Sequence, residues 1–482
     1  MDRKWAALII VCVGTFMLLL DITVVNVALP DIQKELHASF TDLQWVVDAY
    51  ALTLATAVLI AGTLGDLLGR KRVFLFGVGL FTAASAACGA APNPLVLNLS
   101  RGVQGVGGAI VIAVALAIIS QEFHGKERGT AFGAWGATIG AAVAIGPLVG
   151  GVLTTWLGWR AIFYVNLPIG IICIVAGLRV LHESRNEEPG SFDLPGFVTL
   201  TGGLFALVLA LLRGNEWGWG SGREIALYVV AVVLLTAFVV NERHQSAPML
   251  DLSLFSVPTF TGAQIVAFTI SASIFSQFLY LTLYLQNVLG YSPIQAGLRF
   301  LPLSVISFVV APIAGRLSTA LPVRLLLGLG MALVGVALLL MHGITPGSGW
   351  TTLLPGFIVA GVGVGMVNAP LASTAVSVVE PRRAGMASGV NNTFRQVGIA
   401  TGIAGLGAIF QDKILSELHG TGSAAAVASG AVQGSAIARE AFISGLNEIL
   451  LVGAIVAFAG AILGFVLVRG RDFVASGPSA AP

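Results

Sequence analysis

Apolar residues gather into fourteen long runs, near 7–30, 43–64, 73–91, 95–120, 130–156, 161–181, 194–212, 225–241, 259–286, 294–315, 325–342, 351–372, 386–410 and 445–468. Each run is close to the roughly 20 residues that carry an α-helix across a bilayer. Short polar or Gly/Pro stretches such as APNP, GWGSGRE and ITPGSG separate them. The pattern predicts fourteen transmembrane helices. The first run follows Arg3 and Lys4, as a signal peptide would, but it is too long for one and lacks an A-x-A cleavage site, so it counts as the first span.

Basic residues orient this map. With the N-terminus in the cytoplasm, the inside connections hold most of them, including Arg70, Lys71, Arg72, Lys126, Arg128, Arg316, Arg324, Arg382, Arg383, Arg469 and Arg471. The outside connections hold Lys34, Arg160, Arg213, Arg223, Lys413 and Arg439, and Arg101, Arg299 and Arg395 lie within spans. That bias is the positive-inside signal, and it places both termini in the cytoplasm.

Composition agrees. Of 482 residues, 56% are hydrophobic and 10% charged, with mean hydropathy +0.92; a soluble domain has about 25% charged residues. A net charge of +2 gives no reason to expect a nucleic-acid partner. Cys12, Cys88 and Cys173 all fall in apolar runs without metal-ligand spacing. The six histidines fall in loops or at span ends with no metal or acidic constellation, so neither a metal nor a cofactor is expected. No lysine is followed by Ser or Thr, which removes the phosphate-binding loop of an ATP-driven pump.

A weak repeat divides the chain. GDLLGRKRVFLFGVGL (65–80) follows span 2, and GRLSTALPVRLLLGLGM (315–331) follows span 10 without the Asp and most of the basic cluster. This predicts an N-terminal six-helix bundle over 1–181, an insert with two extra spans over 182–258, and a second six-helix bundle with a cytoplasmic tail over 259–482. Parallel repeats with a site between them are a transporter architecture.

Five stretches carry candidate chemistry. Asp21 sits in FMLLLDITVVNVALP, where an ionised carboxylate costs roughly 2.5–3.5 kcal/mol. Burial favours its neutral form, so a change of surroundings can load or release a proton; the competing reading is a structural pair with Arg101. Asp48, one turn after Gln44, is a second acidic candidate. In RGVQGVGGAI, Arg101 and Gln104 share a helix face and suggest an inward polar site. In GTLGDLLGRKR, the glycines Gly62 and Gly69 with Asp66 and Arg70 predict a tight loop whose Asp bonds backbone N–H groups or Arg70. In GAAVAIGPLVGG, Pro147 bends span 5, and Gly146, Gly150 and Gly151 suit close packing, with Gly398, Gly402 and Gly405 of span 13 the expected partner face.

These stretches resemble motifs of the major facilitator superfamily: its loop after the second helix, its fourth-helix arginine motif and the G-P-x-x-G-G antiporter motif of its fifth helix. LDITVVNVALP, QWVVDAYAL, WRAIFYVNLPIG, LQNVLGYSPIQAGLRFLPL and RRAGMASGVNNTFRQVG are similar to its fourteen-span drug:proton antiporter branch. The resemblance implies an all-α monomer in the cell inner membrane that exports drug-like, cationic or amphipathic small molecules against protons. It gives Asp21 and Asp48 roles in proton coupling and cation recognition, and Asp66 with Arg70 a gating role. Export of an endogenous metabolite, or import by a member of the same superfamily, is the alternative; an enzyme is not expected.

Overall fold

The computed structural model describes residues 2–38, 40–185, 193–245, 248–318, 320–380, 383–418, 427–428 and 435–473. The middle of the first expected linker (186–192) and the tail past 473 lie outside them. The described residues form helices and no strands. Twelve helices are long and apolar enough to cross a membrane: α1 (Arg3–Leu36), α2 (Phe40–Leu68), α3 (Arg70–Gly89), α4 (Pro94–Glu122), α6 (Ala161–Val180), α7 (Leu194–Trp217), α8 (Gly222–His244), α9 (Pro258–Val288), α10 (Pro293–Leu317), α11 (Val323–Met341), α12 (Leu354–Ser377) and α14 (Ala436–Leu467). Two more, α5 (Gly125–Leu157) and α13 (Ala384–Leu418), have 33 and 35 residues. Both meet their neighbours through glycines, and α13 carries a polar run, Asn391, Asn392, Thr393, Arg395 and Gln396, in place of apolar side chains.

Local signals set several helix ends. Asn93 and Asp193 cap α4 and α7 with their side chains, each followed by a proline in the first turn. Ser292 and Gln295 form a reciprocal capping box at the start of α10. Gly69, at φ +109°, turns α2 into α3, and a Cβ there would lie 2.5 Å from Oε1 of Glu183. Glu183 accepts from the N–H groups of Lys71 and Arg72 at 3.1 and 3.3 Å, satisfying the orphan donors that open α3.

The buried apolar side chains fall into two large clusters, one built mainly from α1–α6 and one from α9–α14. Two seams join these halves, and both run backbone to backbone. Along the first, a Cβ on Gly62 of α2 would meet the Gly385 carbonyl oxygen at 2.2 Å and the Gly389 Cα at 3.3 Å on α13. Along the second, a Cβ on Gly315 of α10 would meet the Gly129 carbonyl oxygen at 2.1 Å and the Gly133 Cα at 3.3 Å on α5. Gly315 therefore takes the place of Gly62, three residues from the pairing that the sequence repeat suggested. The close contact, and not the charged loop, is what the two copies share.

One expectation needs correction. The antiporter stretch does not pack on span 13. Gly146 abuts Thr23 and Gly150 abuts Val24 of α1, while Gly151 faces Ile294 of α10. Gly398 and Gly402 lie against Phe268 and Ala272 of α9, and Gly405 meets nothing within 4 Å. The two helices between the halves are placed differently. α8 packs on α7 as a hairpin, but α7 lies in the groove between α2 and α13, where Val208 joins Leu52, Ala55 and Ala400.

Candidate functional site

Three polar centres hold the acidic candidates Asp21, Asp48 and Asp66, apart from other buried polar contacts such as Asp193 with Asn241 and Gln264 with Asn391. The first surrounds Asp21, which is 1% exposed. Its Oδ2 is 2.5 Å from Nη1 of Arg101, and its Oδ1 accepts from Gln104 Nε2 at 2.9 Å and Asn166 Nδ2 at 3.0 Å. Arg101 Nη1 also donates to Gln104 Oε1 at 2.7 Å, and its Nε to the Val46 carbonyl at 2.9 Å. The guanidinium stacks 4.3 Å from the Tyr50 ring centroid. Asn166 continues the chain to Ser85 at 3.0 Å. A buried carboxylate is tolerated on these terms: a paired charge and hydrogen bonds to the remaining lone pairs. The spacing reading of Arg101 and Gln104 as one polar face is realised. Every group around Asp21 belongs to α1, α2, α3, α4 or α6, so this network lies within the first half and not between the halves. Asn166 and Ser85 were missed by sequence reasoning; an Asn at the apolar opening of span 6 was the available signal.

The second centre holds Asp48. Its Oδ2 lies 3.1 Å from Nη2 of Arg213 on α7. Arg213 also pairs with Glu216, donates to Gln44 at 3.2 Å, and stacks 4.5 Å from the Trp45 ring. The sequence map put Arg213 in an outside loop. The helix instead continues to Trp217, and the Arg213 side chain is 1% exposed.

The third joins the halves at the end of the molecule that carries Arg3 and Arg469. Asp66 accepts from Arg70 Nε and Nη2 at 3.1 and 2.9 Å, and from the Gly385 and Met386 N–H groups at 3.1 and 2.9 Å. Both partners foreseen for this carboxylate are present, but the backbone donors come from α13, whose first turn offers unpaired N–H groups.

Between the halves lies a narrow pocket lined by Ile139 and Gly140 of α5, Phe275 and Phe278 of α9, Leu303, Ser304 and Ser307 of α10, and Val364 and Asn368 of α12. Residues 271–275 form a π-helical turn in α9, a feature frequent at functional sites. Among the described residues no cluster of His, Cys, Asp or Glu could hold a metal.

With this arrangement known, comparison with other proteins is decisive. The sequence matches the model of the Major Facilitator Superfamily over residues 11–403. The chain belongs to the Major Facilitator Superfamily. It is a multi-pass membrane transporter, not an enzyme. It is similar to superfamily members named for resistance. One is the multidrug resistance protein Stp of Mycobacterium tuberculosis, 39% identical over 82% of this chain and 74% of that one. Another is the puromycin resistance protein pur8 of Streptomyces alboniger, 39% identical over 95% of this chain and 91% of that one. The fold is that of the human organic anion transporter MFSD10 (TETRAN), with a TM-score of 0.67 at 14% identity over 96% of this chain and 100% of that one.

Proposed function

We propose that this transporter is a proton-driven exporter of drug-like amphipathic small molecules, of the fourteen-span drug:proton antiporter branch. In this reading α5 and α13 are spans like the other twelve, and the bundles 1–181 and 259–482 flank the insert 182–258. The protein works as a monomer in the cell inner membrane with both termini in the cytoplasm. Resistance proteins covering most of the chain support export. The observation that carries proton coupling is the Asp21 network. The Asp21 carboxylate is held at membrane depth by donors from Arg101, Gln104 and Asn166, contacts that depend on how α4 and α6 sit against α1. A rearrangement of α4 against α1 then takes up or releases a proton.

Asp21 is neutralised by Arg101, so it no longer favours a cationic substrate, while Arg213 is shared between Asp48 and Glu216 and leaves that centre one negative charge over. Asp66, Arg70 and the N-terminal turn of α13 form the cytoplasmic latch, and the Gly146–Gly151 stretch seals α5 against α1 and α10. The test is flux in proteoliposomes with an imposed pH gradient. Substrate movement opposite to protons, stopped by an uncoupler, is expected; movement unaffected by the gradient would reject antiport.

A further inference from the structure

The pocket between the halves has one uncompensated charge at its edge. Arg395 lies in the middle of α13, and its Nη2 donates to Oδ1 of the pocket residue Asn368 at 3.0 Å. Among the described residues no carboxylate pairs with it. This separates it from Arg101 and Arg213, whose charges are met by Asp21 and Asp48. The side chain is part-buried, and the Nη2 bond to Asn368 is the hydrogen bond it makes among the described residues. An unpaired cation at membrane depth is costly and ordinarily marks a pathway for charge.

The repeat gives an independent placement. KERGTAFG (126–133) and RRAGMASG (382–389) hold the two seam glycines in the same register, Gly129 with Gly385 and Gly133 with Gly389. Carried along the helices, this register makes Arg395 the counterpart of Ile139, which lines the pocket from the other half. The pocket also holds a polar atom without a partner: Ser304 is 2% exposed, and its Oγ makes no hydrogen bond. Opposite stand the rings of Phe275 and Phe278, 6.0 Å apart, with Phe278 leading on to Phe300 at 5.4 Å.

We infer that Arg395, Asn368 and Ser304, with the Phe275–Phe278 wall, recognise an aromatic acid in its anionic form, a carboxylate or acidic phenol on a planar ring system. The inference rests on the proposal that this pocket carries an exported substrate, names the substrate class, and requires the halves to move apart, because the cavity as it stands is only water-sized. The guanidinium offers paired donors to an oxyanion, Ser304 offers a hydroxyl to a neighbouring ring oxygen, and the phenyl rings take the ring faces. An organic cation in the same place would meet Arg395 with no carboxylate to screen it.

The experiment uses two dyes with one ring frame and opposite charge, anionic fluorescein and cationic rhodamine 6G. Their binding to the purified full-length protein is followed by fluorescence polarisation. The expected result is that fluorescein binds about tenfold tighter or better, the span of one charge-assisted hydrogen bond. Arg395→Gln should lower fluorescein affinity by a similar factor and shift the affinity ratio toward rhodamine 6G. Arg395→Lys should restore much of the ratio, and intrinsic tryptophan fluorescence reports whether each variant is folded. Tighter rhodamine 6G binding, binding of neither dye, or an equal loss of both in folded Arg395→Gln would overturn the inference. Charge-selective binding without gradient-driven flux in proteoliposomes would instead reject the export reading and leave this recognition standing.

Discussion

Asp21 accepts three hydrogen bonds inside a sealed part of the first half, and this changes what its replacement should do. A carboxylate facing a wet cavity could be neutralised at little cost. Here Asp21→Asn leaves the Arg101 guanidinium buried without its counter-charge, a loss of about 3–5 kcal/mol. The variant should therefore melt well below the wild type and lose gradient-driven export. Adding Arg101→Gln removes the stranded charge and should recover most of the stability while export stays lost. Thermal unfolding and flux on both variants separate the roles; a double variant that still pumps would make the pair structural. Asp48 is milder, since Arg213 keeps Glu216 and Gln44 when Asp48 becomes Asn. Its stability cost should stay under about 2 kcal/mol. The Asp21 to Arg101 pairing was legible because each is a lone charge in an apolar run. Asn166 was not, since nothing in a linear pattern tells which helix start turns inward. Arg395 was visible as a charge within a span, yet its missing partner is a fact about neighbours and not about sequence.

Among the elements, helix positions followed directly from hydrophobic runs, and every one of the fourteen runs holds a helix. Pairing between helices did not follow, because glycine strips mark close packing without naming the partner. The G-P-x-x-G-G stretch illustrates this: its glycines abut α1 and α10, and the strip on span 13 serves α9. The seam glycines allow a sharper forecast. Gly62→Leu forces a side chain into the Gly385 carbonyl, and overpacking of this kind costs about 1–3 kcal/mol. The closed seam should then be populated about tenfold less or worse. Cysteine labelling of the α2 and α13 ends would read the opening, and a seam that closes normally would count against it. Gly150→Leu meets Val24 atoms at 3.1–3.3 Å and should likewise block export, while Gly405→Leu has open space and should be tolerated.

On the scale of the whole molecule, the insert is a structural member and not a tether. α7 is fixed to α2 by Arg213 and to α13 by Asn215, which donates to the Ala404 carbonyl at 3.4 Å. Deleting both insert helices and joining the halves with a flexible linker should leave two folded halves that associate poorly, seen as a loss of export while circular dichroism loses only the helical signal of the two deleted helices. Arg213→Ala should give a graded form of the same defect. The polar flanks of 182–258 mark an insert in the sequence reading, but the place of α7 in the groove depends on a helix that runs past its apolar stretch to Trp217.

The two glycine seams carry a historical consequence. Each joins one kind of helix in one half to the other kind in the other half, so the surface is self-complementary, as in an isologous dimer. A single six-helix ancestor bearing both helix kinds could have closed on a copy of itself before any fusion. Joining two such copies keeps the pairing only if both enter the bilayer the same way up. In the fourteen-span reading proposed above, an insert of two crossings satisfies that parity, while one crossing or three would invert the second half and face its glycines the wrong way.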